Sequence, residues 1–247
     1  MKKLVAAVTA ASAASTVTTS PRLTDVEWHP GFRIIPSRFP SVNIFDRVAK
    51  AEDFEALYVL EAMTNPRIRQ EVGELSLVPP DERRFGQGYG AIMAAFTHLN
   101  PDGSRFSDGL YGVFYAAYER QTAVAETCYH SGNFLRATHQ PPTQLQMRVY
   151  HVEISGQFHD ICALPPNDPI LSLNDYAASR VLGKQVRSQG AHGIVYPSVR
   201  HVGGLCVATF KTTPLSNCRH ACHMLYQWDG DNISHVFEEV GTSPTIS

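Results

Sequence analysis

From Trp28 to about Glu239 the chain keeps a globular composition, and no Gly/Ser/Pro-rich linker divides this stretch. A chain of 247 residues that is 43% hydrophobic can bury one sizeable core. The sequence therefore predicts a single domain over residues 28–240. A poorly ordered leader rich in Ala, Ser and Thr is predicted over residues 1–27, and a short tail over 241–247.

The leader and the cysteines point to different compartments. Lys2 and Lys3 precede an apolar run at residues 4–8, as in a secretory signal peptide, but Thr9 ends that run early. The 5 cysteines are an odd number scattered through the chain, which favours a reducing compartment. We expect a cytoplasmic protein, with an exported one as the alternative.

Charge and hydropathy exclude two classes of partner. The formal net charge is −2, from 21 Lys and Arg against 23 Asp and Glu, so the chain as a whole does not attract nucleic acid. No run of about 18 apolar residues occurs, which excludes a transmembrane helix. Any polyanion must therefore bind at a local site.

The predicted helices and strands do not alternate strictly along the chain. This mixed order favours an α+β fold in one domain, with mixed, largely antiparallel sheets and flanking helices. The strands are predicted at residues 111–116, 147–154, 193–196 and 205–210, and the helices at 119–129 and 175–188.

Two conspicuous motifs are interpreted as structural segments and not as nucleotide or metal sites. The segment 86–90 (GQGYG) has the wrong spacing for a dinucleotide fingerprint or a P-loop, so we predict a tight loop before a helix. The segment 218–223 (CRHACH) contains four metal-ligand side chains, but no second pair stands at zinc-finger spacing. No Gly-x-Ser-x-Gly elbow occurs either. We expect no metal centre and no hydrolase triad.

Arginines recur in turn-forming segments beside apolar sequence. Each of them alone is most simply one half of a surface ion pair. Combined with a tyrosine and a glutamate, they indicate a ligand that carries phosphate, an aromatic ring and a positive charge. The arginines are Arg33, Arg38, Arg105 and Arg200, and the other two residues are Tyr115 and Glu126.

This pattern resembles the RES-domain family of toxins, named for Arg, Glu and Ser. The spacing from Arg105 through Tyr115 to Glu126 is its most specific element. The chain departs from the family at residues 103–107, which read Gly-Ser-Arg-Phe-Ser where many members have Gly-Gly-Arg-Trp-Asn, and it has a long insertion between Arg38 and Arg105. The other matching segments are Arg33-Ile-Ile, Gly109, Ala125-Glu126 and GIVYPSVR at 193–200.

The resemblance implies an ADP-ribosyltransferase-like fold and an enzyme whose substrate is NAD, with no prosthetic group. It implies hydrolysis or phosphorolysis of the nicotinamide–ribose bond, or transfer of ADP-ribose to a protein. It also implies a toxin that an Xre-type helix-turn-helix antitoxin holds inactive. The toxin itself is expected not to bind nucleic acid or membrane directly. Two alternatives stay open: a nucleotide- or partner-binding module without turnover, and an exported effector with the same chemistry.

Three charged residues are the predicted catalytic groups. Breaking the nicotinamide–ribose bond generates a ribosyl cation that a carboxylate stabilises, for which Glu126 is the candidate. Arg33 and Arg105 are predicted to hold the diphosphate of NAD, because a guanidinium forms bidentate contacts that an ammonium cannot.

Three further residues are predicted to bind NAD. Tyr115 is expected to stack on the nicotinamide ring. Ser198 is expected to donate to a ribose or phosphate oxygen, with a turn-forming serine as the alternative, and Ser179 is a weaker second choice. Two apolar segments, 85–96 and 224–228, either contact an inhibitory partner or belong to the core.

Overall fold

The computed structural model has a mixed seven-stranded sheet at its centre. It describes residues 22–37, 45–47, 50, 53–54, 56–58 and 72–239. The predicted α+β class in one domain is confirmed. The strands are β1 (Arg22–Pro36), β2 (Phe114–Ala117), β3 (Thr143–Asp160), β4 (Gly193–Pro197), β5 (Leu205–Thr209), β6 (Leu215–Trp228) and β7 (Ile233–Glu238), and the α-helices are α1 (Tyr89–Thr97), α2 (Arg120–Ala137) and α3 (Ala177–Ser188).

The sheet curves until part of it closes on itself. Its strand order is β1–β2–β5–β4–β3–β6–β7, and β1 also pairs with β3, so β1, β2, β5, β4 and β3 form a ring. All pairs are antiparallel except β3–β4. The long β1–β3 ladder shifts register between Trp28 and Gly31, and such a bulge increases the local bend of a strand.

Two hydrophobic cores occupy opposite faces of the sheet. On β5, Val207 packs into the first core, whereas its neighbours Cys206 and Ala208 pack into the second, as the two-residue period of a strand requires. Helix α1 covers the first core through Ile92. Helices α2 and α3 cover the second, the latter through Val186.

The first strand begins inside the predicted leader. β1 starts at Arg22, and Val26 is already buried in the first core. The hydroxyl of Ser155 on β3 donates to Glu27 at 2.6 Å, which adds to the backbone ladder between these strands. The predicted boundary at residue 27 is therefore too late. The rest of the leader, residues 1–21, and the tail at 241–247 lie outside the described residues.

The two segments considered for partner contact belong to the core. Residues 85–96 include most of α1, where Met93 is fully buried, and residues 224–228 end β6, where Tyr226 and Trp228 are fully buried. Their burial supports the interpretation of these segments as core. The predicted tight loop before a helix is confirmed for residues 86–88, and the last two residues of the segment already belong to α1, which begins at Tyr89.

Other sequence features have simple structural outcomes. All five cysteines are free thiols. Within the described residues, no group of three or more His, Cys, Asp or Glu side chains is placed to hold a metal ion. None of the helices in the described part of the chain is long and apolar enough to cross a membrane.

Gly183 allows α3 to pack closely against the loop that carries Arg105. A Cβ at Gly183 would lie 2.2 Å from the carbonyl oxygen of Phe106, whereas a Cβ at Gly132 in α2 would lie 3.8 Å from the side chains of Arg136 and Trp228. We expect Gly183→Ala to lower the free energy of unfolding by about 1–3 kcal/mol. Gly132→Ala is the matched control and should be neutral or stabilising, because alanine favours a helix. Urea denaturation measures both, and equal stabilities would contradict this packing.

Candidate active site

Helix α2 and the loop after β4 bring Glu126 and Ser198 together. The Ser198 hydroxyl donates to Glu126 Oε1 at 2.6 Å. Its oxygen also accepts the backbone N–H groups of Arg200 and His201, at 3.1 and 3.0 Å. Ser198 is thus a turn-forming serine, as one prediction proposed, and it also fixes one oxygen of the carboxylate. The other oxygen lies 4.0 Å from Nε2 of His130.

Arg105 is buried in the loop between α1 and β2. Its Nη1 donates to the carbonyl oxygens of Ile170 and Ser172, at 3.2 and 3.0 Å. The guanidinium carbon lies 4.6 Å from the centre of the Tyr176 ring. No carboxylate of the described residues forms an ion pair with Arg105. Its positive charge is therefore left to interact with an anion.

Tyr115 and Ser179 hold the Arg105 loop in place. Tyr115 Oη lies 2.8 Å from Ser104 Oγ and accepts the N–H of Phe106 at 3.1 Å. Burial raises the pKa of Tyr115 to about 12, so its hydroxyl keeps its proton. Stacking of its partly buried ring on nicotinamide stays a prediction.

Ser179 is not placed to bind a ligand. Its side chain is fully buried, and its hydroxyl donates to the carbonyl oxygens of Arg105 at 2.6 Å and Tyr176 at 3.1 Å. This hydroxyl has no solvent exposure and holds the backbone of Arg105 and Tyr176. This arrangement does not support the contact of Ser179 with NAD, which stays a prediction.

Arg33 and Arg105 are not brought together. The Arg33 guanidinium lies 4.4 Å from the centre of the Phe114 ring, in the first core, and donates to the carbonyl oxygen of Tyr115 at 3.0 Å. The side chain of Tyr115 packs against the second core, on the other face of β2. Arg33 thus contacts the first core, whereas Phe106, next to Arg105, lies in the second. This placement does not support the binding of one diphosphate by both arginines, which stays a prediction.

Arg33 itself remains a predicted binding residue. Burial lowers its pKa to about 10, and its Nε has no hydrogen-bond partner among the described residues. A buried guanidinium without a carboxylate is costly, so an anion would stabilise it. Arg38, the other arginine of this segment, lies outside the described residues.

Arg200 is a second arginine close to the Ser198 turn. Its guanidinium carbon lies 3.2 Å from the centre of the Tyr129 ring, and Nη2 donates to the carbonyl oxygen of Leu173. Its Nε is buried and has no partner among the described residues. The turn that holds Ser198 also sets the position of Arg200, because the Arg200 N–H donates to Ser198 Oγ.

His130 is a site residue that the sequence analysis missed. It follows Glu126 by four residues in α2, which places both side chains on one helix face. Its pKa is lowered by burial first and then by Arg200 and Arg105, while Glu126 opposes the shift. The imidazole is therefore within electrostatic reach of one carboxylate and two guanidinium groups.

The pKa of His130 tests this convergence. We expect its imidazole to titrate below 6.5, so that it is neutral at pH 7. Arg200→Gln should raise this pKa, and Glu126→Gln should lower it further. Arg136 is on the same helix as His130 but lies beside Asp231, so Arg136→Gln should not change the pKa of His130. Because the folded pKa lies below the unfolded value, the stability linked to this group is lost as the pH falls below about 6.5. NMR titration of the ring protons measures each shift, and an unchanged pKa in both site variants would contradict the geometry.

Comparison with known proteins identifies similar sequences. A family model described as RES domain matches residues 81–229, which include Arg105, Glu126 and Ser198 but not Arg33. The uncharacterized protein y4oC of Sinorhizobium fredii (strain NBRC 101917 / NGR234) is 32% identical over 212 residues, which are 85% of this chain and 88% of the relative. The crystal structure of the M. tuberculosis MbcT–MbcA toxin–antitoxin complex aligns with a TM-score of 0.39 and 13% identity, covering 80% of this chain and 86% of that chain.

Proposed function

Because this chain belongs to the RES-domain family, as its motifs predicted, we propose that it is the toxin of a toxin–antitoxin pair and that it degrades NAD. The proposed reaction breaks the bond between nicotinamide and ribose, by hydrolysis or phosphorolysis. NAD is the substrate, and no prosthetic group takes part. The observation that carries the proposal is the 2.6 Å hydrogen bond from Ser198 to Glu126. His130, 4.0 Å from the same carboxylate, is under the electrostatic influence of Arg105 and Arg200.

Glu126 supplies the negative charge that this reaction needs. When the C–N bond breaks, its electron pair moves to the ring nitrogen, and nicotinamide leaves as a neutral molecule. The ribosyl group becomes an oxocarbenium-like cation, which a carboxylate stabilises directly or by accepting hydrogen bonds from the ribose hydroxyls. Water or phosphate then attacks C1′, and a proton is released to solvent where water is the acceptor. The Glu126 oxygen that is not bonded to Ser198 is the one free to act.

Arg105 and Arg200 are the proposed contacts of the diphosphate. The guanidinium of Arg105 lies on the Tyr176 ring, and that of Arg200 lies on the Tyr129 ring. Each ring limits the hydration of the guanidinium and fixes the orientation of its plane. Charge-assisted hydrogen bonds from such groups to phosphate are stronger than those in bulk water. Binding energy gained at the diphosphate would hold the nicotinamide end of NAD near Glu126.

Turnover of NAD by the purified chain tests the catalytic proposal. We expect nicotinamide release, measured by mass spectrometry with and without phosphate. Glu126→Gln should lower kcat at least about 100-fold with little change in KM, because the carboxylate acts mainly in the transition state. The control is Glu119→Gln, since Glu119 is exposed at the start of α2 and its side chain makes no capping hydrogen bond.

The products separate the proposal from its alternatives. ADP-ribose or its phosphate ester supports hydrolysis or phosphorolysis, respectively. ADP-ribose attached to a protein would indicate a transferase instead. Recovery of intact NAD from a stable complex would indicate a binding module without turnover, and wild-type turnover by Glu126→Gln would remove Glu126 from the mechanism.

Expression in cells tests the toxin proposal. We expect the wild-type chain to arrest growth and lower cellular NAD, and Glu126→Gln to do neither at equal protein level. The proposed partner is an Xre-type helix-turn-helix antitoxin that blocks access to the site. Such a protein should restore growth when co-expressed and should co-purify, with an interface of about 1,200 Å² or more. Normal growth and normal NAD with folded wild-type protein present would contradict the proposal.

A further inference from the structure

A cavity of about 170 Å³ lies outside the candidate active site. The C-terminal end of α3, the chain after β5 and the short helical turn Pro80–Glu82 surround it. Its apolar lining includes Val78, Phe96 and Phe210, which are all buried. A ligand in this cavity would therefore place an apolar group against two aromatic side chains.

The same cavity is lined by two cations without acidic partners. The guanidinium carbon of Arg187 lies 4.5 Å from the centre of the Tyr111 ring, which also lines the cavity. Lys211 is partly buried beside it. Neither cation forms an ion pair with a carboxylate in the described part of the chain. Glu82 is the one carboxylate among the lining residues, so positive charge is in excess.

We propose that this cavity binds a small anion carried on a single aromatic ring, such as an aromatic carboxylate or phosphate monoester. The volume fits one ring, because a cavity of roughly 150 Å³ in another protein accommodates benzene. The ring packs against Phe96 and Phe210, and the anionic group pairs with Arg187 and Lys211. A guanidinium and an ammonium in a half-apolar cleft bind such an anion more strongly than they would at an open surface.

Calorimetric titration of the full chain tests the ligand class. The probes are benzoate and phenyl phosphate, and at least one should bind with a Kd below about 1 mM. The matched controls are benzamide, which has the ring without the charge, and inorganic phosphate, which has the charge without the ring. Both controls should bind at least about tenfold more weakly. Absence of binding by both probes, or equal binding of a control, would overturn the proposal.

Substitutions locate the site. Arg187→Gln and Lys211→Gln should each weaken binding at least about tenfold, and Glu82→Gln should strengthen it. Lys184→Gln, on the exposed part of α3 and outside the cavity lining, should have no effect. Circular dichroism establishes that each variant is folded. Wild-type affinity in the Arg187 and Lys211 double variant would overturn the proposal, and because no step involves NAD, this outcome is independent of the proposed function.

Discussion

The position of Arg105 depends on hydrogen bonds that fasten its loop to α3 and β2. Ser179 of α3 holds the Arg105 carbonyl oxygen, and Tyr115 of β2 holds the N–H of Phe106. Each such bond contributes only about 1 kcal/mol net, but a buried carbonyl left without its donor costs more, so the loop has little freedom to move. A catalytic or binding group gains from this rigidity, because its geometry is set before the ligand arrives. Ser179 and Tyr115, which were predicted to contact NAD, can therefore contribute to binding by holding the loop of Arg105.

Ser198 illustrates how backbone groups set the direction of a side-chain proton. Two N–H groups occupy the acceptor positions of its oxygen, which leaves the hydroxyl proton to point at Glu126. The carboxylate is then held by a preorganised donor, the arrangement that favours stabilisation of charge in a transition state. Arg105 and Arg200 act electrostatically on His130, which lies 4.0 Å from this carboxylate, although the whole chain has a formal net charge of −2. Attraction of an anionic nucleotide is thus a property of this site and not of the overall charge.

Fold class and family followed from the sequence, because they depend on hydrophobic pattern and on motif spacing. The hydrogen bond from Ser198 to Glu126 did not, because it joins residues 72 positions apart that only the tertiary fold brings together. The sequence did not predict on which face of the sheet Arg33 lies. The two-residue period places neighbouring side chains on opposite faces, but it does not tell which face packs against which core. Helix α2 continues to Ala137, beyond its predicted end at residue 129. Gly132 does not end the helix, because Gly132 and Leu135 are buried and tertiary packing outweighs the low helix propensity of glycine. The contacts of Ser179 also depend on tertiary structure, as α3 meets the Arg105 loop from far along the chain.

The departures from the family motif at residues 103–107 are accommodated by contacts within this chain. Ser104, where many members have glycine, provides a hydroxyl 2.8 Å from Tyr115 Oη. Phe106, where many have tryptophan, is fully buried and meets the Tyr196 ring edge-on, with centres 5.0 Å apart. The Phe106 carbonyl oxygen accepts the hydroxyl of Tyr111 at 2.6 Å, and Tyr111 also lines the cavity that contains Arg187 and Lys211. Phe106, the residue next to Arg105, therefore joins the Arg105 loop to Tyr111 through its carbonyl oxygen and to Tyr115 through its N–H.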